Sequence, residues 1–318
     1  MVLAFAFFLD VIFGDPRWFP HPVRGIGALT NFLEARLYKL PCPKKISGTL
    51  LTCIVVPLTY LVTLLTIQVS ELVHPVFGFP VSALLLFTSL STKSLYKESM
   101  QVFYSLRCKD IEGARKDIAM IVGRDTKDLS EREVVRASVE TVAENIVDGI
   151  IAPVFWWVAG GVPLAMAYKA ANTLDSMVGY KSERYKDFGW ASARFDDLVN
   201  FIPARLSIPV ITLGVFITGK EWKNALRTGI RDGGKNPSPN AGIPEALVAG
   251  ALQVELGGVN YYGGKRCMKE KIGQKIFPLS MGHIKEVNRV MLASASVTVL
   301  FGVSVSLFFE NLNRFWGV

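Results

Sequence analysis

Long apolar runs alternate with polar blocks along this chain, and the lengths of the runs predict the main structural elements. A helix needs about 20 consecutive, mostly apolar residues to cross the hydrocarbon core of a bilayer. Runs of roughly that length occupy residues 46–68, 73–90, 150–170, 198–219 and 290–309. The apolar run at 2–13 is shorter and contains Asp10, so it is a marginal span. The pattern predicts an all-α integral membrane protein with about five transmembrane helices, a polar helical subdomain and long loops.

Helix breakers interrupt two of these apolar regions. A short break around Glu71 and His74 separates the first two runs, which predicts a helical hairpin over 46–90. A Gly-Gly-Val-Pro break at 160–163 lies inside the third run. Breakers at membrane depth suit a discontinuous or re-entrant helix that lines a cavity, and we expect one there.

The polar blocks divide the rest of the chain. Apolar residues recur at helical spacing through the block that ends near 149, where Ser130 followed by Glu133 predicts a capped helix start. We expect this block to be a helical subdomain outside the hydrocarbon. Five segments result: 1–92, an N-terminal loop and membrane hairpin; 93–149, the polar helical subdomain; 150–219, membrane segments with an active-site loop; 220–289, a Gly- and Pro-rich loop region with short helices; and 290–318, a C-terminal transmembrane helix.

The positive-inside tendency does not settle the topology. If 14–45 and 91–149 are cytoplasmic, the hairpin at 46–90 fits. Two full spans at 150–170 and 198–219 would then place the intervening loop outside. That loop is basic, since it contains Lys181, Arg184, Lys186 and Arg194. Either one segment is re-entrant or the loop dips back.

Composition supports a membrane protein. Half of the 318 residues are apolar and the mean hydropathy is +0.33, which is too apolar for an ordinary soluble protein of this size. The net charge of +8 indicates positive-inside loops and attraction to anionic lipid or anionic substrates. The chain lacks aromatic-basic nucleic-acid motifs, so we expect no nucleic-acid partner.

The cysteines and histidines predict no metal or disulfide framework. None of the four cysteines forms a CxxC pair, and the three histidines lack metal-ligand spacing. The N-terminal apolar stretch has no basic region before it and no small-residue cleavage site, so we expect a retained segment rather than a signal peptide.

A stripe of charged residues follows Ser130 at steps of four: Arg136, Glu140, Glu144 and Asp148. On a helix these side chains share one broad face, with Asn145 beside them. The stripe predicts either a carboxylate bank for Mg²⁺ or a solvated, salt-bridged helix face. Its C-terminal members lie at a membrane boundary, where polar groups are costly and more often functional.

Two further clusters flank the loop at 171–197. The first ends an apolar run and contains Lys169, Asn172, Asp175, Ser176, Tyr180 and Arg184. A lysine can hold phosphate and a carboxylate can hold a metal, although a snorkelling lysine beside a helix cap explains the same pattern. The second contains Arg194, Asp196, Asp197 and Arg205. The Asp pair is a candidate metal site, base or N-cap, and Arg205 within an apolar run requires an anionic partner.

Two loops carry the remaining candidates. The turn after Arg231 contains Ser238, Asn240 and, further on, Glu245, and its prolines and glycine predict a rigid turn whose amides could cradle an anion. In the N-terminal loop, Asp15, His21 and Arg24 stand close in sequence. His21 is either a base or an ordinary loop histidine.

Four long strings give the sequence a family resemblance. They are FGDPRWFPHPVRGIG (13–27), GRDTKDLSEREVVRASVETVAENIVDGIIAPVFW (123–156), GGVPLAMAYKAANTLDSMVGYKSERYKDFGWASARFDDLVNFIPARL (160–206) and RDGGKNPSPNAGIPEALVAGALQVELGG (231–258). In this order they resemble the CobD/CbiB family, the adenosylcobinamide-phosphate synthases of cobalamin biosynthesis. The strings cover the chain nearly end to end and are far more specific than any short motif.

The resemblance implies a reaction. An adenosylcobyric acid propionate is joined to (R)-1-amino-2-propanol or its O-phosphate, and ATP with Mg²⁺ drives the amide bond. It implies a multi-pass protein of the cell membrane whose partners are these substrates, the lipid bilayer and other membrane enzymes of cobalamin assembly.

The clusters can be assigned hypothetical roles in that reaction. Catalytic candidates are Glu140, Glu144, Asp148, Lys169, Asp175, Asp196 and Asp197, of which Glu140, Glu144, Asp148 and Asp175 are the candidate metal ligands. Substrate-binding candidates are Asp15, His21, Arg24, Arg124, Asn145, Asn172, Ser176, Tyr180, Arg184, Arg194, Arg205, Arg231, Ser238, Asn240 and Glu245. A membrane transporter or a non-catalytic scaffold that handles corrinoids is the alternative function. ATP-dependent product formation by purified protein would separate the enzyme from both.

Overall fold

The computed structural model describes residues 1–16, 18, 20–180 and 182–316, without the side chains of 310 and 312–316. Lys181, one of the basic residues of the topology argument, lies outside the described residues. The elements are α1 (Val2–Phe13), α2 (Pro22–Leu37), α3 (Lys44–Val73), α4 (Pro75–Phe87), α5 (Thr92–Arg107), α6 (Ile111–Ala119), α7 (Glu131–Ile146), a π-helical turn (Val147–Ile151), α8 (Ala152–Val178), α9 (Tyr185–Phe188), α10 (Trp190–Val199), α11 (Phe201–Ile217), α12 (Trp222–Asp232), α13 (Gly242–Leu252), β1 (Glu255–Tyr262), β2 (Lys265–Gly273) and α14 (Gly282–Trp316).

The helices confirm the predicted class, an all-α membrane protein with one small sheet. Four helical stretches in the described part of the chain are long and apolar enough to cross a bilayer: Lys44–Val73, Pro75–Arg107, Glu131–Val178 and Gly282–Phe309. A fifth span results if α10 and α11, which meet at a bend of 44°, are counted together. Each predicted apolar run overlaps one of these five stretches, with bounds that differ by at most two residues where a run extends beyond its stretch.

Both predicted helix breaks are confirmed. His74 has extended backbone angles between α3 and α4, and its Nδ1 accepts a hydrogen bond from the Val76 amide at 3.3 Å. In α8 the helical angles fail at Gly160 and at Gly161, whose φ of 72° is in the left-handed region that favours glycine. The helix is therefore discontinuous where the Gly-Gly-Val-Pro sequence predicted it.

The chain forms two compact units. The first comprises Met1–Ser91, Ala152–Val199 and Val299–Val318; the second comprises Thr92–Ile151 and Asn200–Thr298. In the first unit the buried core includes Leu3, Leu51, Leu86, Met166, Leu174 and Phe188. In the second, every residue of α13 is buried. The five predicted segments, which follow chain order, stay a prediction.

The first unit contains a helix that the sequence interpretation missed. Residues 14–45 were expected to be a loop, but α2 occupies their centre. Pro22 stands in its first turn, where a proline costs no intrahelical hydrogen bond. Ile26, Leu29 and Leu33 then recur at helical spacing and pack on the core. The loop expectation was wrong, because a proline in a first turn followed by apolar residues at helical spacing is the signal of a helix start.

The second unit contains a hairpin that was also missed. Residues 220–289 were expected to be an irregular loop with short helices. Instead, β1 and β2 pair antiparallel and are joined by Gly263 and Gly264 alone, with φ values of 57° and 75°. Two consecutive residues with positive φ make the tight turn that matches the twist of paired strands. Gly263 and Gly264 thus form the turn, while Gly257 and Gly258, which also have positive φ, lie at the irregularity in the register of β1.

The predicted capping box is present at the start of α7. The Glu133 amide donates to Ser130 Oγ at 3.4 Å, and the Ser130 amide donates to the Glu133 carboxylate at 2.8 Å. The helix itself differs from the expected polar-faced one, because Arg136 and Glu140 are buried in the second unit. A solvated, salt-bridged face for the charged stripe is therefore excluded at these two positions.

Candidate active site

Glu140 is the centre of a buried ion network in the second unit. Arg124 Nη2 donates to one carboxylate oxygen at 2.5 Å, and the Gly257 amide donates to the other at 2.8 Å. The Arg136 guanidinium lies on the same carboxylate, with Nε at 3.9 Å. Asn260 Oδ1 accepts from both arginines, at 2.6 and 2.9 Å. The network ties α7 to β1 and to the loop before α7.

This network changes the interpretation of Arg124 and Glu140. The side chains of both are less than one-tenth exposed, at 6% and 2%. A buried charge is tolerated when it is paired and hydrogen-bonded, and each oxygen of Glu140 already accepts a hydrogen bond. The observed contacts of the pair join α7 to β1 and to the loop before α7. The predicted substrate role of Arg124 and metal role of Glu140 stay predictions.

The helix changes type between the next two members of the stripe. α7 ends at Ile146 and the π-helical turn contains Asp148, so Asp148 is rotated away from the line expected for a continuous α-helix. Glu144, Asn145 and Asp148 are half-buried. Asn145 Nδ2 donates to the Thr141 carbonyl at 2.9 Å. Single π-turns within α-helices frequently mark functional sites, which keeps Glu144 and Asp148 as candidates.

A lysine that the sequence interpretation missed lies among the carboxylates of this unit. Lys269 Nζ is 3.6 Å from Glu245 Oε1. Glu245 is buried on α13, and its Oε2 accepts from Asn236 Nδ2 at 3.1 Å. Recognising the hairpin would have pointed to Lys269, because it pairs with Gly258 on the strand that carries the Glu140 network.

The electrostatics of the Glu245–Lys269 pair follow from burial and neighbours. Burial raises the pKa of Glu245 to about 8, with Glu140 and Glu144 adding to the increase and Lys269 opposing it. Burial lowers the pKa of the Lys269 ammonium, but the Glu245, Glu144 and Glu140 carboxylates outweigh it, and the pKa is raised overall. The pair can therefore hold one extra proton close to neutral pH.

Arg205 is held by a turn of the second unit. Its guanidinium donates to Asn240 Oδ1 at 2.8 Å and to the Pro239 carbonyl at 3.3 Å, and it lies 3.6 Å from the centre of the Phe201 ring. All the contacts of Arg205 within the described chain are with neutral groups, which can satisfy a cation. Its predicted pairing with an anion, such as a substrate phosphate, stays a prediction.

The 236–241 turn is ordered by its own side chains, as its prolines predicted. Ser238 Oγ accepts from the Asn240 amide at 3.3 Å, and Asn236 Oδ1 accepts from the Ser238 amide at 3.0 Å. These amides already have acceptors within the turn. The anion cradle proposed for Ser238 and Asn240 stays a prediction.

Asp232 lies at the start of that loop and is the ion-pair partner of Arg231. It accepts from Arg231 Nη2 at 2.6 Å, from Lys235 Nζ at 2.7 Å and from the Gly273 amide at 2.9 Å. The hydrogen bonds from Arg231 hold the pKa of the Asp232 carboxyl well below its usual range despite burial. Asp232 thus fixes the C-terminus of α12 to the end of β2, and Arg231 is one of its partners.

In the first unit, the second half of α8 and α10 bring together part of the two polar clusters. Asn172 Nδ2 approaches Asp196 Oδ1 at 3.5 Å, and Arg194 pairs with Asp197 at 3.8 Å. Ser176 Oγ donates to the Asn172 carbonyl at 2.9 Å. Lys169 and Asp175 are half-buried on the same half of α8. Their assigned roles stay predictions.

Arg184 is paired with a carboxylate that was not among the candidates. Its Nη2 donates to Glu34 Oε1 at 2.8 Å, and the Tyr185 hydroxyl donates to the same oxygen at 2.9 Å. Burial and this hydrogen bond raise the pKa of Tyr185. Glu34 lies on α2 and was overlooked because that segment was interpreted as a loop. Tyr180 is exposed nearby in sequence.

The N-terminal candidates form one ion pair at the start of α2. His21 precedes the helix, and its Nε2 is 2.8 Å from Asp15 Oδ1. Arg24 follows in the first turn. A carboxylate that orients an imidazole is the usual support of a histidine base, but an ion pair that holds a loop has the same geometry.

No preformed metal cage is evident among the residues that the structure describes. Within them, no three His, Cys, Asp or Glu side chains are grouped so that they could hold a metal ion. Mg²⁺ usually binds through one or two carboxylates plus substrate phosphates, and the magnesium site implied by the resemblance stays a prediction.

The fold and the site define the class of protein. It is a helical membrane protein with a buried ion network beside a group of carboxylates. The chain belongs to the CobD/CbiB protein family, whose model matches residues 3–291. It is 49% identical over 299 residues to the cobalamin biosynthesis protein CobD of Geobacter metallireducens, with 94% of each chain covered. It is 44% identical to CobD of Pelobacter propionicus, with 98% of this chain and 97% of the relative covered.

A relative that has the family's other name, CbiB, is similar to a comparable extent. The cobalamin biosynthesis protein CbiB of Salmonella typhi is 44% identical over 301 residues, with 93% of this chain and 94% of the relative covered. No solved structure matches the chain. The family resemblance seen in the four sequence strings is confirmed.

Proposed function

We propose that this chain catalyses ATP-dependent amide bond formation between adenosylcobyric acid and (R)-1-amino-2-propanol or its O-phosphate. The observation that carries the proposal is the family match over nearly the whole chain, together with relatives whose names assign them to cobalamin biosynthesis. We propose the cell membrane as its location, with several helices that cross the bilayer.

The chemistry requires two transfers. The corrinoid carboxylate attacks the terminal phosphorus of ATP, which gives an acyl phosphate and releases ADP. The aminopropanol nitrogen then attacks the acyl carbon, phosphate leaves, and the nitrogen loses a proton to a base. Cations must hold the anionic groups and a carboxylate must accept the proton.

Each of the two units, taken by itself, contains candidates for these roles. In the second unit, Lys269 is a cation beside Glu144 and Glu245, and Glu245 can take up a proton near neutral pH. In the first unit, Lys169 and Asp196 are candidates for phosphate binding and for the base. Glu144, Asp148 and Asp175 remain the candidate carboxylates for Mg²⁺ delivered with ATP.

The test is turnover by the purified protein in detergent. Adenosylcobyric acid, ATP and Mg²⁺ are supplied with either aminopropanol or its O-phosphate, and products are identified by liquid chromatography with mass spectrometry. We expect adenosylcobinamide or its phosphate and one ADP per amide, with no product when ATP is omitted. Comparing the two amines decides which donor is used.

Absence of product with both amines would contradict the proposal. The break at Gly160 and Gly161 would also suit a transporter. ATP-independent movement of corrinoid into vesicles that contain the protein, without amide formation, would favour that function instead.

A further inference from the structure

Helix α12 has one face fixed to its unit and one face without a covering element in the described chain. Ala225, Thr228, Gly229 and Asp232 are buried. Gly229 lies so close to α13 that an added Cβ would stand 2.6 Å from the Leu247 side chain. The opposite face is therefore held outward by tight packing, not by chance orientation of a mobile segment.

The outward face has two parallel rows of residues, each at steps of four. One row is apolar and consists of Trp222, Leu226 and Ile230; the other is basic and consists of Lys223, Arg227 and Arg231. Ile230 is 72% exposed. An apolar row beside a basic row is the pattern of a helix that lies in the plane of a membrane interface.

The position of α12 agrees with this pattern. It begins directly after the four-residue turn that follows α11, which is part of a candidate span. Phe216 and Ile217 at the end of α11 are exposed apolar residues. The Phe216 ring centre is 6.3 Å from that of Trp222, so the apolar row of α12 continues the exposed apolar surface of α11. Tryptophan is enriched at such membrane boundaries.

The charges on α12 indicate which kind of lipid headgroup the helix contacts. The acidic residue within the helix, Asp232, is buried and neutralised by Arg231 and Lys235. Lys223 and Arg227 are exposed, and Lys223 Nζ lies 5.5 Å over the Trp222 ring. We infer that α12 is an interfacial helix that docks onto anionic phospholipid headgroups, with Trp222 and Ile230 at the acyl boundary and Lys223 and Arg227 on the phosphates.

The interfacial position of α12 does not depend on the proposed reaction. It also indicates which side of the protein faces the cytoplasm. Juxtamembrane basic residues concentrate on the cytoplasmic side. The α11–α12 turn and the 236–241 loop would then face the cytoplasm.

The test uses the full chain in detergent, with Cys42, Cys53, Cys108 and Cys267 replaced by alanine and Ile230→Cys labelled with an environment-sensitive fluorophore. Mixed micelles of phosphatidylglycerol or phosphatidylcholine are titrated. We expect a blue shift of the label at about 25-fold lower phosphatidylglycerol than phosphatidylcholine, because each of the two basic residues contributes about five-fold in affinity near an anionic surface. Lys223→Glu with Arg227→Glu should abolish the preference.

The matched control is Arg266→Glu with Lys275→Glu, which changes the net charge equally at exposed positions outside α12. It should keep the preference. If the reversal variant fails to fold, Lys223→Gln with Arg227→Gln should still reduce the preference. Three outcomes would overturn the inference: no shift with either lipid, equal loss in the control, or a shift that appears on concentrating the protein without lipid, which would indicate a second copy as the occupant.

Discussion

The two ends of α7 carry the same kind of residues at the same spacing and yet differ in structure. At the first end, Arg136 and Glu140 form a closed network with Arg124, Asn260 and the backbone of β1. At the other end, Glu144 and Asp148 are half-buried and the helix changes to a π-turn.

The difference is one of hydrogen-bond and ion-pair partners. Each Glu140 oxygen accepts a hydrogen bond from a buried donor, so the carboxylate is committed to holding two elements together. Beyond it, the carboxylates of Glu144 and Glu245 are positioned around one lysine, Lys269, and one proton can be added or lost there. The first end is therefore a rigid support and the second is the better candidate for chemistry.

The largest expected effect tests the first end of α7 and is a loss of folding stability. Glu140→Gln leaves Arg124 and Arg136 buried without a carboxylate. Removing one partner of a buried ion pair costs about 3–5 kcal/mol, so the variant should be expressed poorly or unfold well below the wild-type temperature. Thermal unfolding in detergent measures this. Glu112→Gln, which removes an exposed pair with Arg115, should change stability by less than about 0.5 kcal/mol.

The second effect is on turnover. Glu144→Gln and Asp148→Asn should each decrease kcat about 100-fold or more, as expected when an acid, base or metal-binding carboxylate is removed. Their unfolding temperatures should stay within about 2 °C of wild type, unlike Glu140→Gln. Turnover at the wild-type rate in both variants would assign the whole stripe to structure.

A smaller effect concerns the cation between the carboxylates. Lys269→Met leaves Glu245 without its ion-pair partner, which should cost about 1–3 kcal/mol at pH 8 and less at pH 6, where Glu245 can be protonated. Adding Glu245→Gln to Lys269→Met should recover most of the loss. A double variant that is no more stable than Lys269→Met would show that the two residues are not coupled.

The sequence predicted what depends on local patterns. Apolar run length identified the spans, and the break at Gly160 and Gly161 and the Ser130 capping box were located to the residue. These features depend on residues that are neighbours along the chain, so a single sequence contains the information.

One failure comes from tertiary pairing, and the others come from two elements whose local signals were overlooked. The burial of Glu140 depends on Gly257 and Asn260, more than 110 residues away. Glu34 and Lys269 were overlooked because α2 and the hairpin were interpreted as loops, and their partners could not be assigned without those elements. A proline at a helix start and a Gly-Gly turn were the available signals.

The last expected effect is the pH dependence of stability that Glu245 confers. Its pKa in the folded protein is about 8, above the ordinary value of 4.5, so the folded state binds this proton more tightly than the unfolded state. The resulting stability is fully present below about pH 4.5 and is lost as the pH rises through about 8. The unfolding temperature should therefore fall between pH 6 and pH 8.5 in the wild type, and Glu245→Gln, which mimics the protonated form, should flatten that decline.

Glu255→Gln is the matched control, since Glu255 is a partly exposed carboxylate paired with Lys271 at 3.0 Å. A Glu245→Gln variant with the wild-type slope would place the buried proton elsewhere and remove the main argument for chemistry at this end of α7.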